Sequence, residues 1–393
     1  MRRIDVVERR ARLGRRHHLA PAAVAASVVE VAGDLAGLHG TDPASVFLAA
    51  RARLRPGAAV ADVERALYEE RALVRMLGMR RTMFVVPLDL APLVQAACTR
   101  AIAVKQRELL VGHLEQAGIG EGDAAGWLAG VEESVVRALR ARGEAFAADL
   151  AGDEPRLRTP IVMAEGKPYE AAPYVSTRVL FLLSADGRIV RGRPRGSWVS
   201  SQYRWSPTEA WLPGGIPELP VEAAQVELAR RWLRAFGPAP VTDLRWWTGW
   251  SAGTTKKALA QLNPVEVDLG GVTGLLLAED VEPVDAPEPY AAVLPALDPT
   301  PMGWNERGWF LGRHKPALFD RSGNIGPSIW WDGRIVGGWA QRKGGEVVHR
   351  LLEDVGADAV AAVEAELTRL TDWLTGVRVT PRFPAPLDRE LTA

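Results

Sequence analysis

Apolar residues recur at helical spacing over residues 22–36, 43–53 and 61–76, and the strand-like run MRRTMFVVP follows at 79–87. Pro87 ends that strand, and helical spacing resumes over 88–115. A similar order returns twice. In the second instance a helix at 132–142 stops at Gly143, a short helix covers 145–150, and a proline-containing polar break precedes a third helix near Ser176. Strand-like 188–191 then runs through the turn GRPRG and returns at 197–200. In the third, helices over 221–236, 241–249 and 251–262 are broken by Gly-Pro-Ala-Pro and opened by Ser251 as an N-cap. Strands at 265–268 and 274–277 around Gly270-Gly271 complete a hairpin.

Helices closed by a hairpin, three times over, are the pattern of winged-helix modules. An acidic, proline-rich connector at 278–289 leads to short strands at 291–297, 329–331, 334–339 and 347–351, and an amphipathic helix covers 358–375. The expected fold is therefore α+β, with tandem winged-helix (helix-turn-helix) modules at 1–120, 121–212 and 213–282 and a C-terminal β-rich scaffold over 283–393.

Composition narrows the partners. At 393 residues and 47% hydrophobic content the chain can bury several cores. Its 48 basic residues equal its 48 acidic ones, so no global field draws it to nucleic acid, and a DNA site would have to be a local patch. The lone Cys98 excludes an intramolecular disulfide framework and a thiolate zinc cluster, and reads as a small buried apolar residue. The Arg-rich start has no apolar run of signal-peptide length, and no stretch is long enough to span a bilayer. A cytoplasmic monomer without membrane association is expected.

The candidate chemistry sits in Gly37-Leu38-His39-Gly40-Thr41-Asp42-Pro43. His39 and Thr41 are a polar pair in a turn, and Asp-Pro is a good helix start, the carboxylate capping free N–H groups. On pattern alone, His39 and Thr41 could simply bond turn backbone while Asp42 caps. No second His, Cys or paired carboxylate stands at ligand spacing nearby, so no metal and no cofactor is expected.

The turn, read with Arg80-Arg81-Thr82-Met83-Phe84 and the later Met302-Gly303-Trp304-Asn305-Glu306-Arg307, resembles the AlkZ/YcaQ-like winged-helix DNA glycosylases over roughly residues 20–375. The matching turn of that family usually reads glutamine, apolar residue, then glutamine or aspartate; here it is His39-Gly40-Thr41. The resemblance implies double-stranded DNA as partner, including alkylated or crosslinked duplexes, and hydrolysis of the N-glycosidic bond of N-alkylated purines in repair or genotoxin self-resistance. It makes His39 the water-positioning residue or general base, Thr41 an assisting hydrogen bond and Asp42 an orienting or capping group. Without catalysis, the same chain would be a DNA-binding regulator or lesion sensor.

Arg80 and Arg81 are expected to alternate sides of a strand, one facing DNA, with Phe84 as an apolar wedge in the active-site wall. Arg188, Arg191, Arg193 and Arg195, with Arg204, form the best basic patch, in a segment of its own without acids; a solvated hairpin would look the same. Lys256 and Lys257 are weaker DNA-binding candidates. The Trp246-Trp247 and Trp330-Trp331 pairs read as core rather than base-stacking platforms.

Overall fold

Side-chain caps start the first helices of the chain, and one of them, Asp42, is expected from the sequence. In this computed structural model, which describes residues 1–161 and 172–393, β1 (Arg2–Arg3) leads into α1 (Val6–Arg16), capped by Asp5, and Ser27 caps α2 (Val28–Asp34). After β2 (Leu38–His39), Asp42 caps α3 (Pro43–Arg51), with Pro43 at the first helical position. The helix expected at 61–76 is shorter: α4 (Val60–Glu64) ends in a wide turn at Arg65–Glu69. Residues expected to finish that helix are instead β3 (Leu73–Leu77), antiparallel to β4 (Met83–Pro87). Both faces of these strands are buried, which hides the two-residue alternation that marks a half-exposed strand.

The order β2-β4-β3 makes β4 the central strand. Phe84 and Val86 enter the largest core, while Val85 enters the core around α3 and the C-terminal sheet. The apolar wedge expected at Phe84 is thus corrected: the ring is 4% exposed and packs edge-on against Trp247.

A long helical run comprises α5 (Ala91–Val94), a wide turn at Gln95–Thr99 and α6 (Arg100–Gln116). With α7 (Ala124–Arg142), α8 (Ala147–Asp153) and α9 (Ser176–Ala185), α6 encloses a separate apolar cluster that includes Leu110, Val135 and Leu183. The polar break expected before α9 lies partly outside the described residues. The hairpin that follows is β5 (Ile189–Pro194) and β6 (Tyr203–Pro207). Its return strand starts at Tyr203, not at Ser197. The Ser197 and Ser200 hydroxyls accept from the N–H groups of Val199 and Gln202, competing with a ladder. Trp198 folds down from this loop onto Phe47 and Trp373.

The third run matches the expected order: α10 (Val221–Phe236), α11 (Val241–Thr248), α12 (Ala252–Leu262) capped by Ser251, then β7 (Val265–Asp268) and β8 (Thr273–Leu276). β1 extends this hairpin in parallel to β7. Beyond the connector, β9 (Ala291–Leu294) precedes three one-turn helices, α13 (Pro299–Met302), α14 (Gly308–Leu311) and α15 (Lys315–Leu318). β10 (Ser328–Trp331), β11 (Arg334–Gln341) and β12 (Val347–Leu351) complete an antiparallel sheet of order β12-β11-β10-β9. α16 (Ala357–Leu374) packs on it, and the chain ends in α17 (Pro386–Thr392), an element the sequence pattern did not suggest.

A buried polar network ties the end of α3 to this C-terminal part. Arg53 grips Asp298 with two hydrogen bonds of 2.8 and 2.6 Å, neither side chain reaching solvent, and also donates to Thr300. His17, held neutral by burial, donates from Nε2 to the Ala235 carbonyl and accepts from the Thr300 hydroxyl at Nδ1.

Candidate active site

Two glycines shape the turn that carries the polar pair. Gly37 has φ +110°, a conformation that side chains resist, and turns the chain out of α2. Leu38 and His39 then pair with Val85 and Phe84. A Cβ on Gly40 would stand 2.9 Å from Arg75 Nη1. Its absence lets that guanidinium approach and donate to the Gly40 carbonyl at 2.6 Å.

His39 is 5% exposed, its ring tilted against Phe84 at 5.4 Å. Burial, reinforced by the charge of Arg80, pushes its pKa down to about 3, so the imidazole is neutral at physiological pH. Its Nδ1 has no hydrogen-bond partner, and two residues on the buried Thr41 Oγ1 has none either. Each such atom costs about 1–3 kcal/mol of desolvation, a cost that native cores avoid and ligand sites carry. Backbone satisfaction, the plainer role for this pair, is therefore not what their side chains do.

Asp42 is differently employed. Its Oδ1 accepts from the Ala44 N–H at 3.1 Å and its Oδ2 from the Arg382 N–H at 2.9 Å. Burial pushes the carboxyl up, against the pull of those bonds. Capping, one of the two roles expected for it, is what its geometry displays.

Thr41 opens onto a cleft of about 550 Å³ with Phe146, Arg191, Arg195, Tyr203 and Arg382 on its walls, and no carboxylate among the described residues lines it. The arginines of the β5–β6 hairpin divide into two sets. Arg188 meets Glu133 at 2.7 Å, Arg193 meets Glu64 and Glu69 at 2.9 and 3.2 Å, and Arg204 meets Glu144 at 2.7 Å. Acids distant in sequence thus supply the partners that the local segment lacks. Arg191 and Arg195 have none among the described residues. Arg191 lies over Tyr203 and Trp205, and Arg195 over Phe146 at 4.2 Å. Burial, then the neighbouring charge of Arg75, pushes Arg191 down to about 10.

Arg80 and Arg81 do not alternate along a strand. They form the turn between β3 and β4, at φ 50° and 61°, closed by the Gly78 N–H donating to the Thr82 carbonyl at 2.8 Å. Arg80 lies 3.8 Å from the centre of Trp246, its Nε buried without a partner, and burial lowers its pKa to about 10. Trp247 is core at 3% exposure, whereas half-buried Trp246 is this platform, so the pair divides in function. Trp330 is fully buried and Trp331 half-buried. Lys256 and Lys257 are exposed on α12.

Sequence reasoning missed Arg75 and Arg382. Arg75 carried a usable signal, a charge inside the apolar run LVRML, which the helical reading of 61–76 concealed. Arg382 had none, because only folding brings it to Thr41. Among the described residues one trio, His18, Glu30 and Asp34, clusters with possible metal-ligand spacing. Both ring nitrogens of His18 are engaged, by the Ala23 carbonyl at 2.7 Å and Asp34 at 2.9 Å. No helix among the described residues is long and apolar enough to cross a membrane.

The sequence matches the model of the family described as DNA glycosylase AlkZ-like over residues 32–373. The fold is similar to that of the Streptomyces sahachiroi DNA glycosylase AlkZ, with a TM-score of 0.71 and 20% sequence identity over 94% of this chain and 97% of that one. No curated protein matches the sequence.

Proposed function

The chain belongs to the AlkZ-like DNA glycosylase family, and from that membership we propose that it binds double-stranded DNA through its helix-and-hairpin units, read as winged-helix modules, and hydrolyses the N-glycosidic bond of N-alkylated purines. The observation that carries this reading is the pair of buried, unpartnered atoms His39 Nδ1 and Thr41 Oγ1, in a turn whose Thr41 lines a cleft with cationic walls. An alkylated purine leaves as a neutral base, so the bond is already weakened and the protein needs only to orient water and tolerate the developing charge on the sugar. A neutral imidazole with a pKa near 3 is a poor proton acceptor. His39 therefore holds the water by accepting a hydrogen bond at Nδ1, and Thr41 supplies a second hydrogen bond from its hydroxyl. The base departs with the electrons of the glycosidic bond, the water oxygen bonds to the sugar carbon, and the proton it loses passes to solvent. With Asp42 turned to backbone N–H groups, DNA phosphates supply the negative charge nearest the sugar cation.

One feature favours a second reading, a DNA binder without catalysis: the polar pair contains no carboxylate. Base release from a duplex carrying N7-alkylguanine separates the two. In the first reading the native protein releases base and His39→Ala loses release by about 100-fold, whereas Thr41→Asp raises the turnover rate and weakens duplex binding by adding a negative charge to the cleft. Tight binding without release by every version overturns the glycosylase reading and leaves the binder.

A further inference from the structure

We infer that Arg191, Arg195 and Arg382, backed by Arg75 and Tyr203, form a subsite for one phosphodiester of the DNA backbone beside the Thr41 turn. The inference rests on the DNA-binding half of the function proposed above, and adds to it a residue, Arg382, that lies outside the stretch matched by the family.

Four guanidinium groups converge here with no acid from the described residues among them. Among the described residues the cleft walls contain Arg191, Arg195 and Arg382 and no Asp or Glu. Behind them Arg75, 2% exposed, lies 4.8 Å from the centre of the Tyr203 ring. Its Nη1 is spent on Gly40, while Nε and Nη2 are buried without a well-formed hydrogen bond, near the Tyr68 hydroxyl, and the Tyr203 hydroxyl is likewise buried and unpaired among the described residues. Burying cations beside one another is unfavourable unless an anion joins them. The mutual repulsion is visible in Arg191, which burial and then the charges of Arg75 and Arg382 push to a lower pKa, with only Tyr203 opposing.

The way these groups are held also suits a phosphate. Arg195 lies over the Phe146 ring at 4.2 Å and Arg191 stands near the Tyr203 and Trp205 rings at 5.6 and 5.3 Å. No carboxylate among the described residues takes the N–H edge of either, which leaves both edges open for a paired contact with two oxygens. Elsewhere on the same hairpin, carboxylates occupy those edges. Arg382 is positioned by its backbone, donating to Asp42, while its Nη1 reaches the Thr41 carbonyl at 3.4 Å. The C-terminal segment thus delivers a cation to the reaction turn, and the capping residue of α3 sets where it lands.

The test is duplex binding against salt concentration for the native protein, Arg191→Gln, Arg382→Gln, the double variant, and Arg369→Gln, whose partner Glu366 lies on its own helix α16. Loss of the one phosphate contact should lower the slope of log affinity against log salt by about one, so the double variant loses about one and binds at least tenfold more weakly at low salt, and Arg369→Gln matches the native. A purely structural role would weaken binding without altering the slope, and overturns the inference. So does an unchanged double variant, even if inorganic phosphate raises the melting temperature of the native protein; the cleft would then take free phosphate, not DNA. Loss of slope in a protein that releases no base keeps the subsite and removes the glycosylase chemistry. Base release with an intact slope does the reverse.

Discussion

The backbone N–H of Arg382 donates to Asp42 Oδ2 at 2.9 Å across 340 residues of sequence. One carboxylate thereby starts α3, fixes the turn that carries His39 and Thr41, and ties down the segment leading to α17. Asp42→Ala removes the helix cap and leaves the Arg382 N–H without its acceptor. The two losses together should cost about 2–3 kcal/mol. Urea denaturation of native and variant protein measures it, and a cost below about 0.5 kcal/mol would show that the tail is held by other contacts.

The Arg53–Asp298 pair, fully removed from solvent, should show the asymmetry of buried charges. Asp298→Ala leaves a guanidinium in the core with only Thr300 and the Ala49 carbonyl for company, at about 3–5 kcal/mol. Replacing both, as Arg53→Met with Asp298→Leu, should recover most of that loss. A double variant no more stable than Asp298→Ala would mean that the pair also organises α13, where Asp298 accepts from the Thr300 N–H.

Legibility in the sequence followed the exposure of each element. The third helical run and its hairpin were readable because a capping serine, a Gly-Pro break and half-exposed faces left their marks at α10, α11 and α12. β3 was not, because Leu73, Val74, Met76 and Leu77 are all buried and an apolar run has no period to betray it. His39 and Thr41 could be singled out as residues, since the turn and its cap are local. Their cleft could not: its cations come from β3, β5 and the C-terminal segment, and the acids that silence Arg188, Arg193 and Arg204 come from α7, the α4 turn and Glu144.

Arg80 and Arg81 hold left-handed conformations, which cost a side-chain-bearing residue about 1 kcal/mol. For Arg80 the stack on Trp246 offsets that strain. Arg81 has only a distant approach to Phe181, at 5.6 Å. Arg81→Gly should therefore stabilise the protein by about 0.5–1 kcal/mol, and Arg80→Gly should bring no gain. Thermal denaturation of the two variants checks this; destabilisation by Arg81→Gly would reveal a contact that the strain supports.

The depressed pKa of His39 gives a dependence on pH with a definite sign. Unfolded, its imidazole takes a proton near 6.5, while folded it resists until about 3. Between those values the unfolded state binds more protons, so the contribution of His39 to stability is complete above pH 6.5 and falls as the solution is acidified. Buried His17, also lowered, acts in the same direction. Asp243 and Asp388, raised by burial to about 6 and 7, act in the opposite one, their contribution being lost as the pH rises through those values. The total is thus a poor guide, and the difference between native protein and His39→Gln isolates the residue. That difference should shift by about 1–3 kcal/mol against the native protein between pH 7 and 4.5. Base release, in turn, should show no inflection from His39 between pH 5 and 8. An inflection near 6.5 that disappears in His39→Gln would mean that the imidazole is solvated when DNA is bound and acts as a base after all.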